Sequence, residues 1–79
     1  MQQHSPQEIN PLQDIHLKMV NLSLVFRNRI CEECKWSTPT FYRKMREADK
    51  FSNAEKDKIF SVMHQVTADL QNYYKKYHP

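Results

Sequence analysis

The chain predicts a small all-α domain with a long C-terminal helix. The 79 residues include no glycine and four prolines, which argues against tight β-hairpins and against a glycine-rich phosphate loop. Over the last third of the chain, apolar residues recur at steps of four and three, the period of a helix. Helix-capping residues stand ahead of the apolar runs at Asn10, Ser23, Ser37 and Ser52. A chain of this length makes one domain and buries only about 60–65% of its unfolded surface, so its core must be small.

Residues 1–10 are polar, contain Pro6 and offer little to bury, so they read as a flexible arm. Residues 11–79 then form a single helical unit. Asn10-Pro11 is a helix start, with asparagine as cap and proline in the first position. Leu12, Ile15 and Met19 share one face of a helix over about 11–20. Asn21-Leu22-Ser23 reads as a break, with Ser23 capping a second helix over about 24–35. An unbroken helix from Pro11 to Lys35 is the alternative. Phe26, Ile30, Cys31 and Cys34 give this stretch a broad apolar face.

Ser37 is the cap of a short helix, about Thr38 to Arg46. Pro39 falls in its first turn, where a missing N–H costs nothing. Phe41 and Met45, spaced i and i+4, are its expected inner anchors. Its outer face holds Pro39, Arg43 and Arg46, flanked by Thr40 and Tyr42. The net charge is only +3, yet Lys35, Arg43, Lys44 and Arg46 fall in a stretch without a single acid. A local cationic surface of this kind attracts phosphate. A short cationic helix braced by a preceding one suits the DNA major groove.

The run Trp36-Ser37-Thr38-Pro39-Thr40-Phe41-Tyr42-Arg43 resembles the helix-turn-helix of bacterial DNA-binding proteins of the repressor-like, resolvase-like and tetracycline-repressor-like kinds. The resemblance covers about twenty of the 79 residues. Those domains usually carry glycine where this chain has Lys35. Lys35 would therefore end the first motif helix in the left-handed conformation, at roughly 1–2 kcal/mol for a residue with a Cβ; the alternative is a slightly different turn. Cys31 stands where a small alanine is usual, and cysteine is small and readily buried. The resemblance implies a regulator or accessory factor of the sort found on phages and mobile elements. Arg43 and Arg46 are the expected base readers, since arginine suits bidentate contact with guanine, with Thr38, Thr40 and Tyr42 beside them. Ser37, Lys35 and Lys44, with Arg27 and Arg29 if their face allows, are the expected phosphate contacts.

Glu47-Ala48-Asp49-Lys50 reads as a polar connector and Phe51 as a core residue. Ser52-Asn53-Ala54-Glu55 is a capping box. Behind it, Ile59, Met63, Val66, Leu70, Tyr73 and Tyr77 form a 3.5-residue stripe, widened by Phe60 and Tyr74. A helix over 53–77 would be ~37 Å long, more than a small body can cover. Its far half therefore calls for another partner. The expected one is a second copy, meeting this chain through Val66, Leu70, Tyr73 and Tyr77. Such a homodimer would offer two motif helices to successive major grooves about 34 Å apart. The alternative is that the N-terminal helix folds back over the tyrosines.

Cys31 and Cys34 form a C-x-x-C, but zinc needs two further ligands, and His4, His16, His64 and His78 are scattered. Both cysteines are expected in the core, with no metal and no cofactor. No triad spacing is visible, and a short helical chain has little room for a dry pocket, so neither an enzyme nor a small-molecule substrate is expected. No apolar stretch approaches 18 residues, and the first residues lack the basic and apolar regions of a signal peptide. The expectation is a cytoplasmic protein that binds double-stranded DNA and no membrane. The competing reading is a helical adaptor that works through its long C-terminal helix without DNA.

Overall fold

A computed structural model describes residues 10–47 and 51–78. The arm expected over residues 1–10 lies outside them apart from Asn10, as do residues 48–50 of the connector. Three helices make up the described chain, with no strand among the described residues: α1 (Pro11–Cys34), α2 (Thr38–Lys44) and α3 (Asn53–Tyr74). The fold is all-α, as the sequence predicts, with a long C-terminal helix. No described helix is long and apolar enough to cross a membrane.

α1 starts where the sequence places it. The Asn10 side chain accepts hydrogen bonds from the N–H groups of Leu12 and Gln13, at 3.0 and 3.2 Å. The expected break at Asn21–Ser23 does not occur, and the unbroken alternative is the one formed. Leu22 is the reason: it is buried against the rest of the fold and holds the middle of the helix in place. Ser23 is an interior residue of α1, not a cap.

α1 and α3 run antiparallel. Asp14 meets Tyr73 and Tyr77, Arg29 meets Gln65 and Asp69, and Lys58 donates to the Glu33 carbonyl at 2.8 Å. That last bond satisfies one of the carbonyls a helix leaves open at its C-terminus. The long-range packing consists of α3 on α1 and α2 on α1, so the flank between α2 and α3 stays open. Among the described residues, only Leu22, Ile30 and Val62 are buried, Ile30 and Val62 to 1% exposure.

The seam between the long helices differs from the expected stripes. On α3 the inward line runs Ile59, Val62, Val66, Asp69, Tyr73, while Met63 is 54% exposed. Both 62 and 63 satisfy a four-three spacing; the polar Asp69 lies on the true line and hides it from an apolar count. On α1 the inward line runs Asp14, Lys18, Leu22, Val25, Arg29. The expected apolar face of Leu12, Ile15 and Met19 is exposed. α3 starts at the predicted capping box: the Glu55 N–H donates to Ser52 Oγ at 3.1 Å, and the Ser52 N–H to Glu55 Oε1 at 3.0 Å. This accepted bond is the main cause that holds the Glu55 carboxyl below its ordinary range. α3 ends at Tyr74, short of Tyr77, and closes in a turn.

The far half of α3 already has a partner within the chain. Tyr73 and Tyr77 both donate their hydroxyls to the Asp14 carboxylate, and Lys76 Nζ joins it at 3.1 Å. Lys18 and Lys76 lie over the Tyr73 ring, each 5.1 Å from its centroid. This is the folded-back arrangement. Tyr73 and Tyr77 are thus engaged by α1 within the chain, while Tyr77 stays 38% exposed and Val66 and Leu70 line the open flank between α2 and α3.

The tyrosine hydroxyls hold the Asp14 carboxyl down at about 2, with Tyr73 the largest cause. The same contacts push the Tyr73 and Tyr77 hydroxyls above their ordinary value of 10.0. A depressed carboxyl stabilises the fold above its unfolded value and loses that effect as pH falls through the folded one. A raised phenol stabilises below its unfolded value and loses the effect as pH rises. In urea melts, the stability difference between the wild type and Asp14→Asn should be flat between about pH 5 and 9. It should shrink from pH 3.8 towards 2, and again above pH 10. A difference that does not vary with pH would remove the carboxylate from this cluster.

Candidate nucleic-acid interface

The turn between α1 and α2 rests on one unusual backbone residue. Lys35 has φ 58° and ψ 43°, the left-handed conformation, and is the positive-φ residue of the described chain. The N–H groups of Lys35 and Trp36 both reach the Cys31 carbonyl, Trp36 at 2.9 Å. This is the six-to-one closure that ends many helices, usually with glycine at the left-handed position. The Cys31 thiol lies under the turn and donates to the Ser37 carbonyl at 3.9 Å. Lys35→Gly should relieve roughly 1–2 kcal/mol of left-handed strain while adding about 0.5–1 kcal/mol of unfolded-chain entropy. The expected result is a Tm higher by roughly 2–6 °C in a thermal melt. A fall in Tm would mean that the lysine side chain contributes more than its backbone costs.

Ser37 caps α2 as expected. Its Oγ accepts from the Thr40 N–H at 3.3 Å and donates to Thr40 Oγ1 at 3.0 Å. Pro39 lies in the first turn. α2 stops at Lys44, shorter than the expected Thr38–Arg46, and Met45 and Arg46 continue it as a turn. Phe41 is half-buried and faces inward, edge-on to Tyr42 with ring centroids 5.3 Å apart. Met45 is not an anchor: it is 66% exposed, because it lies past the helix end beside the open flank.

The outer side of α2 carries Thr38, Pro39, Tyr42, Arg43 and Arg46, all exposed. Arg43 Nη1 bridges Glu47 Oε1 at 3.3 Å, one turn on along the chain. An exposed pair of this kind contributes only a few tenths of a kcal/mol, so phosphate or a base edge can displace it. Tyr42 Oη accepts from Arg27 Nη1 at 3.2 Å, which ties the outer rim of α2 to α1. Lys35 is exposed at the turn itself.

Four expected contacts, Lys44, Arg29, Thr40 and Ser37, are engaged within the chain. Lys44 is half-buried, with Nζ 5.6 Å from the ring centroids of both Trp36 and Phe51. Those rings, 6.2 Å apart, pin the entry to α3 against the turn, so Phe51 lies inside as expected. Lys44 is thus turned away from Arg43 and Arg46. Arg29 donates to Gln65 Oε1 at 3.2 Å and pairs with Asp69 at 3.7 Å, so it belongs to the seam with α3. Thr40 is half-buried and bonded to Ser37, whose hydroxyl is likewise engaged in the cap. No positional rule separates Lys44 from Arg43; only the rotation of α2 about its axis does, and Phe41 fixes that rotation.

Cys31 and Cys34 are free and half-buried on the inward side of α1. Desolvation, first among the causes, pushes the Cys34 thiol up, away from the thiolate a metal or a nucleophile requires. Among the described residues, no group of three or more His, Cys, Asp or Glu is placed to hold a metal ion. What the surface offers is a rigid, cationic, hydroxyl-bearing ridge. No family model, no curated protein and no solved structure matches the chain.

Proposed function

We propose that this chain is a sequence-specific DNA-binding protein, a small regulator that acts by binding and not by catalysis, with α2 entering the major groove. The observation that carries this reading is the exposed outer ridge of Thr38, Tyr42, Arg43 and Arg46 on a helix fixed at its base by the Ser37 cap and the Lys35 turn. Arg43 and Arg46 read base edges, Thr38 and Tyr42 flank them, and Lys35 and Arg27 face phosphates. Regulators of this size commonly bind as two-fold dimers, and a homodimer is part of the proposal.

Titration of mixed-sequence duplex at low and raised salt tests it. Binding at about micromolar Kd in low salt should weaken as salt rises, with a log–log slope set by the number of phosphates contacted. Absence of binding at low salt would favour the other reading, a protein-interaction module. The observation on that side is the open apolar flank between α2 and α3, which polar DNA would not fill.

A further inference from the structure

The flank left open by α2 and α3 is a groove of about 580 Å³, with Leu22, Phe26, Ile30, Phe41, Met63 and Val66 among its lining residues. No Asp or Glu lines it, and its charged lining residues are Arg27 and Lys44. At its far end the exposed residues Leu12, Ile15 and Met19 extend the same apolar stripe along the first half of α1. A chain with three buried apolar side chains among its described residues thus displays an apolar strip along its longest helix.

We propose that this groove seats the same groove of a second copy of the chain. The stripe is self-complementary about its own midpoint. α1 runs from Pro11 to Cys34, so its centre falls between Leu22 and Ser23. A two-fold axis across the helix there sets Met19 of one copy against Phe26 of the other. It also lays Leu12 and Ile15 of one over Phe41 and Met45 of the other, covering the side chains that the isolated chain exposes. Two layers of paired helices then form a four-helix bundle.

The area is sufficient. A two-helix face ~20 Å wide and ~30 Å long covers ~600 Å² per copy, or ~1,200 Å² in all, the lower bound of stable interfaces. Arg43, Arg46 and Thr38 do not line the groove and stay uncovered, whereas Arg27 and Tyr42 are among its lining residues and are shared between the two surfaces. About 18 Å of helix separates Leu22 from Cys34, so the antiparallel pair holds its two turns about 36 Å apart along the bundle. That matches one turn of DNA, about 34–36 Å. The relevance of this spacing rests on the DNA-binding reading; the seat of the second copy does not.

Sedimentation equilibrium of the full chain without DNA, at tens of micromolar, tests the pairing. The wild type should return twice the chain mass of 9.6 kDa. Met19→Glu and Met63→Glu, each placing a carboxylate in the seam, should return the single-chain mass. Phe60→Glu, on an exposed part of α3 outside the groove, should keep the doubled mass. A wild type at single-chain mass, a Met63→Glu variant still doubled, or equal dissociation by Phe60→Glu would each overturn the proposal. Should the glutamate variants also lose their helical signal, the wild-type melt decides: its Tm must fall on tenfold dilution, and a Tm independent of concentration overturns the pairing. A monomer that still binds DNA would sink the second copy, here and in the proposed function, while leaving the DNA-binding helix standing, and a dimer that ignores DNA would sink the regulator alone.

Discussion

Ile30→Ala should lower the urea midpoint of unfolding by about 2 M or more, since truncating a buried isoleucine costs about 2–5 kcal/mol and a chain this small has an m-value near 1 kcal/mol/M. Ile30 is 1% exposed and lines the junction where α2 joins the long pair. A domain of this size holds roughly 4–12 kcal/mol in total, so the loss is a large share of it. With Leu22 and Val62 as the other buried side chains among the described residues, little neighbouring material can collapse into the space. Phe60→Ala removes a larger side chain from an exposed site and should stay within about 0.5 kcal/mol of the wild type. Circular dichroism at 222 nm across a urea series distinguishes the two. Equal midpoints would place the core elsewhere than at this junction.

Arg43→Ala should cost about 1–3 kcal/mol on the preferred duplex, roughly five- to 150-fold in Kd, and should flatten the preference among sequences. Stability should barely change, because the residue's partner in the chain is the exposed Glu47. Lys35→Gln should differ in kind: weaker binding to every sequence alike and a salt slope lower by about one. Competition between the selected duplex and random duplex measures both. Should Arg43→Ala keep full affinity and selectivity, the outer ridge of α2 is not the reading surface.

Much of this architecture was legible in the order of residues. Asn10-Pro11, Ser37 with Pro39, and Ser52 with Glu55 are local devices, each satisfied by hydrogen bonds within a few positions, and each is found where the sequence puts it. Lys35 was legible only through the resemblance, which places a glycine-favouring left-handed residue at that position, and it is found there. What escaped depends on contacts distant in the chain. Leu22 keeps α1 whole only because α3 is there to bury it. Asp14 and Lys18 lie in the seam because Tyr73, Tyr77 and Lys76 meet them from the other end of the chain. Asp69 occupies a half-buried position on the seam because Arg29 faces it. Polar seams of this sort have no period an apolar count can find. On the candidate interface, Arg43 and Arg46 were legible as outward residues, whereas the inward turn of Lys44 depended on where Trp36 and Phe51 settled.

The continuity of α1 has a mechanical result. The tyrosine-rich end and the turn ahead of α2 are opposite tips of one stiff rod about 36 Å long. A tilt of about 5° imposed at one tip swings the other by about 3 Å, roughly the rise of one base pair. Whatever grips the Asp14 end therefore swings the turn ahead of α2 as a lever swings its load, with no break in α1 to absorb the motion.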